Sequence, residues 1–316
     1  MRAVVIRDRG VVVEDVEDPV PGSGQVVVEV AAAGLNAADL HQVAGTYPPP
    51  PGWPEDIPGM EFAGRIQSIG PGVTSWTPGD RVMALVGGGA HAEKALAPVG
   101  ALMRIPESVG FEAAAGFTEG FTTGWDALIA QAGLRAGDRV LVTGATGGVG
   151  TAAVQIAAVS GAEVVASVRD LGAGPRLSAL APGITAVRAG SEDEHGPYDV
   201  ILELVGGEAS MERIGLLGFG GRIVVIGVGA GARVPIPLGR LMAVRGQVMA
   251  STLRARPEWE KSALARRVEH ALVPSLATGR ISVPIDSVFP LESAASAYGR
   301  MAESGKFGKV ILTTGS

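Results

Sequence analysis

From about residue 121 the chain alternates short unbroken apolar runs with longer stretches of helical spacing. Arg139-Val140-Leu141-Val142-Thr143 is apolar at consecutive positions, the pattern of a strand buried on both faces of a parallel sheet. The pattern predicts an Ala-rich helix over 149–160 and a second strand over 163–168. Further strands are expected at 185–188, 199–204 and 222–226. Strands alternating with helices in this way specify a doubly wound parallel α/β sheet. Before residue 121 the pattern is that of short strands (1–6, 25–30, 62–69) separated by Gly70-Pro71-Gly72 and Pro78-Gly79-Asp80 turns, as in a small β-rich domain. A helix over 122–131 leads into the α/β part. A long helix over 257–277, with Pro274 as a point of bending, leads out of it. Residues 281–289, a helix over 291–304 and the strand Lys309-Val310-Ile311-Leu312 break the alternation and are expected to rejoin the first domain. The expected domains are therefore 1–120 with 258–316, and 121–257.

Composition removes several classes of function. The chain has no cysteine among its 316 residues, so disulfides, a thiolate nucleophile and Cys-ligated zinc or iron–sulfur centres are excluded. Its net charge of −6 disfavours nucleic acid as a bulk partner. No apolar stretch reaches the ~18 residues of a membrane span, and the N-terminus lacks a signal-peptide pattern, so a cytoplasmic protein is expected. Glycine, at 47 residues, is about twice its usual frequency, which calls for tight turns and close backbone approaches.

The sharpest chemical signal is Gly144-Ala145-Thr146-Gly147-Gly148-Val149-Gly150, set between the apolar strand and the Ala-rich helix. Glycines there let the backbone turn and approach a pyrophosphate, while the helix N-terminus offers N–H donors and a positive dipole. Ala145, Gly147, Gly148 and Val149 are the expected phosphate contacts. At the end of the next strand, Ser167-Val168-Arg169-Asp170 presents an arginine where NAD-binding sheets place a carboxylate. A guanidinium suits a 2′-phosphate, which makes NADPH the expected cofactor. Arg176 is an alternative phosphate partner, and Asp170 a competing ribose partner. Val205-Gly206-Gly207 and Gly227 follow strands of the same sheet, where a nicotinamide would lie, and Thr123 is a further candidate contact.

With these residues in place the whole chain resembles the medium-chain dehydrogenase/reductase family. The supporting segments are Ala33-Gly34-Leu35-Asn36-Ala37-Ala38-Asp39-Leu40, Gly59-Met60-Glu61-Phe62-Ala63-Gly64, Pro78-Gly79-Asp80-Arg81-Val82 and Gly308-Lys309-Val310-Ile311-Leu312. The resemblance implies a GroES-like catalytic domain around an inserted Rossmann domain. Zinc alcohol dehydrogenases of the family carry Cys where Asn36 stands and His where Met60 stands. The resemblance therefore narrows to the zinc-independent quinone oxidoreductase branch, with no metal. Within it, Gly45-Thr46-Tyr47-Pro48-Pro49-Pro50-Pro51-Gly52 and the segment from Gly246 to Arg256 are most similar to the p53-inducible quinone oxidoreductase subgroup. That subgroup implies NADPH-dependent quinone reduction and a homodimer. Ala37 and His41 depart from its usual pattern beside the expected substrate site.

Mitochondrial-type enoyl thioester reductases are a second resemblance. By it, Tyr47 matches a proton donor, Arg169 a 2′-phosphate ligand and Lys309 a cofactor contact. Tyr47 and Asn36 are the expected catalytic residues. The Tyr47 phenol would donate a proton or hydrogen-bond the acceptor carbonyl, and Asn36 would orient nicotinamide or substrate, against the alternative that it only bonds local backbone. The expected activity is NADPH-dependent reduction of a quinone or enone, with 2-enoyl thioester reduction as the alternative. The zeta-crystallin relatives also admit an NADPH-binding protein with a structural or RNA-binding role, which the acidic charge disfavours.

Overall fold

The computed structural model describes residues 1–315 and divides into two compact units, residues 1–122 with 253–316, and residues 123–252.

The first unit opens with the hairpin β1 (Arg2–Arg7) and β2 (Gly10–Asp15). Next come β3 (Gln25–Leu35), the short helix α1 (Ala37–Val43), β4 (Glu61–Ile69), β5 (Arg81–Leu85), β6 (Lys94–Pro98) and β7 (Leu102–Arg104). Strand β3 is longer than the sequence pattern indicates. Its second half, Ala31-Ala32-Ala33-Gly34, has little intrinsic β preference. It is held by antiparallel pairing to β4 on one side and, on the other, to a C-terminal strand that puts Ile311 opposite Gly34. Val26, Val28, Val30, Phe62, Ile66, Val82 and Ala84 form the core of this barrel-like sheet.

Two short helices, α2 (Phe111–Ala115) and α3 (Thr118–Trp125), follow. Past Trp125 the expected helix turns π-helical over Asp126–Gln131. Gln131 Nε2 donates to the buried Asp126 Oδ2 at 2.5 Å, a five-residue spacing that a π-turn brings to one side.

The second unit contains β8 (Arg139–Val142), α4 (Gly148–Val159), β9 (Glu163–Val168), α5 (Gly174–Leu180), β10 (Thr185–Arg188), β11 (Tyr198–Glu203), α6 (Glu208–Glu212), β12 (Leu217–Val225), α7 (Leu238–Ala243) and β13 (Gln247–Ala250). All six strands are parallel, in the order β10-β9-β8-β11-β12-β13. This is the doubly wound arrangement, and its direction of winding reverses between β8 and β11. Leu141, Val165, Ile201 and Ile223 pack its core beside Tyr198 and Met211.

The chain then returns to the first unit. Helix α8 (Glu258–Ala277) runs through Pro274, and β14 (Ile285–Pro290), α9 (Ala294–Ala302) and β15 (Lys309–Thr313) complete the sheet.

Candidate active site

In the second unit the carboxyl ends of β8, β9, β11 and β12 form a crest. The Gly-rich turn leaves β8 and enters α4, whose N-cap is Gly147. Gly150 must be glycine: a Cβ there would lie 2.4 Å from Gly144 O and 2.7 Å from Ala145 C. This contact seats α4 tightly on the turn, and the N–H groups of its first turn lack an intrahelical acceptor. Ala145 is buried, while Gly147, Gly148 and Val149 are partly exposed.

Beyond β9 the Arg169 side chain is exposed, and no hydrogen bond or ion pair engages it among the described residues. Asp170, the competing ribose partner, is turned back onto its own loop, where its Oδ1 accepts from Gly172 N at 2.9 Å. Ser167 is buried and donates to Glu192 Oε1 at 2.7 Å. Arg176 is exposed on α5. Thr123 is buried in α3. Val205 is 41% exposed, an unusual position for a large apolar side chain, and stands at the end of β11 beside Gly206. Gly227 closely follows β12, packed against Leu204 O.

A buried charge network that the sequence did not single out holds this crest together. Glu203 Oε1 accepts from Thr143 Oγ1 (3.0 Å), Val205 N (2.8 Å) and Gly206 N (2.9 Å). Its Oε2 accepts from Arg213 Nη1 at 3.0 Å. Arg213 Nη2 donates to Glu192 Oε1 at 3.1 Å, and Glu192 Oε2 accepts from Gly190 N at 2.8 Å. Burial pushes the Glu192 carboxyl up, but the Ser167 hydroxyl, backbone N–H groups and Arg213 outweigh it and hold it below the usual carboxylate range. One arginine thus ties together the loops after β8, β9, β10 and β11. Its three members are isolated in sequence, and a charged residue at the end of an apolar strand, Glu203, was the one available signal.

In the first unit a second buried cluster surrounds Asn36. The Lys309 ammonium donates to Asn36 Oδ1 at 2.6 Å and Glu61 Oε1 at 2.5 Å, and Asn36 Nδ2 donates to the same Glu61 oxygen at 3.0 Å. Glu61 Oε2 accepts from Thr118 Oγ1 (3.1 Å) and Glu119 N (2.7 Å). Gly34 makes this packing possible, since a Cβ there would meet Glu61 Oε1 at 2.5 Å. The Asn36 amide is therefore fixed in orientation, with its second Nδ2 proton making only a 3.5 Å contact to Gly34 O. Asp39, in the same turn, is fully buried and accepts from Asn36 N at 2.8 Å. Burial pushes its carboxyl up, against the lowering effect of His91, Lys309 and Arg254.

Tyr47 is half-buried at the start of the proline run. Its N–H donates to His41 O at 3.2 Å, and the Arg254 guanidinium lies 5.3 Å from its ring centroid. His41 is exposed and reaches Thr46 Oγ1 at 3.4 Å.

A zinc ion does not fit this cluster. Its donors would be the Asn36 amide and a Glu61 carboxylate that an ammonium already neutralises, whereas zinc takes thiolate, imidazole and free carboxylate. Among the described residues no group of three His, Cys, Asp or Glu could hold a metal ion.

Comparison with known proteins gives the chain its relatives. Residues 22–107 match the alcohol dehydrogenase GroES-like domain, and residues 184–312 match a zinc-binding dehydrogenase family. Mouse (Mus musculus) quinone oxidoreductase is 34% identical over 313 residues, covering 94% of this chain and 92% of that protein. The quinone oxidoreductase of Thermus thermophilus, whose structures include a complex with NADPH, is 33% identical with a TM-score of 0.83. The match covers 99% of this chain and 100% of that one. A mycocerosic acid synthase-like polyketide synthase of Mycolicibacterium smegmatis is 31% identical over 309 residues, 92% of this chain but 14% of that protein.

Proposed function

This chain belongs to the quinone oxidoreductase branch of the medium-chain dehydrogenase/reductase family and is an oxidoreductase of that family, and we propose that it is a zinc-independent, NADPH-dependent reductase of quinones or related conjugated carbonyls. The observation that carries the cofactor reading is the exposed, unengaged Arg169 at the end of β9, beside an Asp170 committed to its own loop. The NADPH complex of the Thermus relative supports the same choice. The reading without zinc rests on the absence of cysteine and on Lys309 neutralising Glu61.

NADPH, when bound, supplies the hydride. The residues of the Gly-rich turn hold its pyrophosphate, with Gly147, Gly148 and Val149 in contact, while the fully buried Ala145, whose N–H is given to Ser167 O, supports the turn from within. Arg169 holds the 2′-phosphate, and Thr123, Ser167, Val205, Gly206 and Gly227 shape the rest of the cofactor surface. Asn36, fixed by Lys309 and Glu61, orients the acceptor through its remaining N–H. Tyr47 offers a phenol to the acceptor oxygen or carbon as charge develops.

A second reading, 2-enoyl thioester or enone reduction with Tyr47 as proton donor, is favoured by the likeness to a segment of the polyketide synthase. An acceptor panel at fixed NADPH, run on the native protein, decides between them. Quinone turnover with weak enoyl thioester turnover supports the first reading. Strong enoyl thioester reduction with negligible quinone reduction replaces it with the second.

We also propose a homodimer and a cytoplasmic location. Among the described residues strand β13 is the edge of its sheet, paired to β12 alone, and Leu238 and Met242 on the preceding α7 are 63% and 77% exposed. Light scattering at micromolar concentration tests the dimer, and a monomer there overturns it. No helix among the described residues is long and apolar enough to cross a membrane.

A further inference from the structure

Arg254 is 6% exposed, and its donors go to three neutral oxygens. Nε donates to Gly87 O at 2.9 Å, Nη1 to Tyr47 O at 3.2 Å and Nη2 to Gln42 Oε1 at 2.5 Å. No carboxylate lies within ion-pair distance of it among the described residues, although buried guanidinium groups ordinarily have one. The charged and titratable groups that act on it from a distance are Asp39, Tyr47 and Tyr298. Burial lowers its pKa, and those three groups raise it again. An arginine remains protonated through such a shift. The fold therefore keeps a guanidinium with no carboxylate in direct contact beside the face of Tyr47, with the ring centroid 5.3 Å away. Leaving a buried cation without an anion is unfavourable for folding, and here the three hydrogen bonds offset that cost only in part.

We propose that Arg254 is a positioning residue for Tyr47: its three-armed hydrogen bonding fixes the loop that carries the ring, and its guanidinium lies over the face of that ring. This rests on the reading of Tyr47 as the acid of the reaction. In that step the phenol O–H bond breaks and a C–H or O–H bond forms on the acceptor that has taken up the hydride. Water then reprotonates the phenolate left behind.

Arg254→Met, and Arg254→Lys, which keeps the charge and loses the fork, should each speed amide hydrogen exchange in the loop around Tyr47. In turnover with an enone, both should lose at least about tenfold in kcat with the NADPH dissociation constant unchanged. Unchanged exchange in the folded Arg254→Met protein, or native kcat with an enone, overturns the proposal. Faster exchange in a protein that reduces neither quinones nor enones leaves the positioning by Arg254 standing and overturns the proposed function instead.

Discussion

Replacing Arg213 by methionine removes the cation shared by two buried carboxylates. Glu203 is fully buried and Glu192 is 4% exposed, and Arg213 reaches them at 3.0 and 3.1 Å. Breaking a buried ion pair by removing one partner costs roughly 3–5 kcal/mol, because the remaining charge stays desolvated. The lower part of that range applies here. Arg213 Nε is itself buried without a hydrogen-bond partner, so the native arrangement already carries a penalty that the variant relieves. Glu203 also keeps its bonds from Thr143, Val205 and Gly206. A loss of about 3 kcal/mol, at about 2–4 °C per kcal/mol, lowers the thermal midpoint by on the order of 10 °C. Thermal unfolding followed by circular dichroism measures it. The same substitution loosens the Val205–Gly206 loop and should weaken NADPH and NADH alike, by about tenfold, as read by cofactor fluorescence. Adding Glu203→Gln, which preserves the acceptor oxygen and removes the charge, should recover at least about 1 kcal/mol. A midpoint within about 2 °C of native for Arg213→Met would mean that the two carboxylates do not depend on Arg213.

Three further outcomes are expected. Arg169→Ala should weaken NADPH by roughly 10–150-fold in equilibrium binding and leave NADH nearly unaffected; equal loss for both would move the phosphate contact elsewhere, with Arg176→Ala the next variant to measure. Burial raises the Asp286 carboxyl, but Arg300, the Phe307 N–H and Ser287 together hold it below the usual range. Its contribution to stability is therefore present above the unfolded carboxylate pKa and lost as pH falls through the lower folded value. Asp286→Asn should be less stable at neutral pH and lose less on acidification, and parallel acid-unfolding curves would contradict this. Tyr47→Phe should lower quinone turnover by less than about tenfold, because a hydroquinone anion can take its proton from water, and enoyl thioester turnover by about 10²–10⁴-fold, as steady-state kinetics on both acceptors will show.

The parallel sheet was legible in sequence because its strands are buried on both faces and read as continuous apolar runs, as at Val140-Leu141-Val142. The second half of β3 was not. Ala31-Ala32-Ala33-Gly34 has no strand preference of its own, and pairing with β4 and β15, distant in sequence, decides its conformation. The Gly-rich turn and Arg169 stood out because local spacing carries their meaning. The clusters that hold the site in shape did not. Asn36, Glu61 and Lys309 each drew notice singly, but their contact arises from the register that sets Gly34 opposite both Glu61 and Ile311. Arg254 reaches Gln42, Tyr47 and Gly87 across more than 160 residues of chain. Arg213 lies on a short helical stretch whose local sequence carries no mark of its partners, and only the folded sheet places it between Glu192 and Glu203.

NADPH-dependent quinone reduction without a metal, the activity proposed above, is decided by the rate of NADPH oxidation by a simple benzoquinone, with native protein dialysed against a strong chelator, beside the same assay with NADH. Saturable quinone-dependent oxidation that chelation leaves unchanged and that favours NADPH through a lower KM is the expected result. Activity that disappears on chelation and returns with added zinc, or equal use of NADH and NADPH, overturns the proposed function.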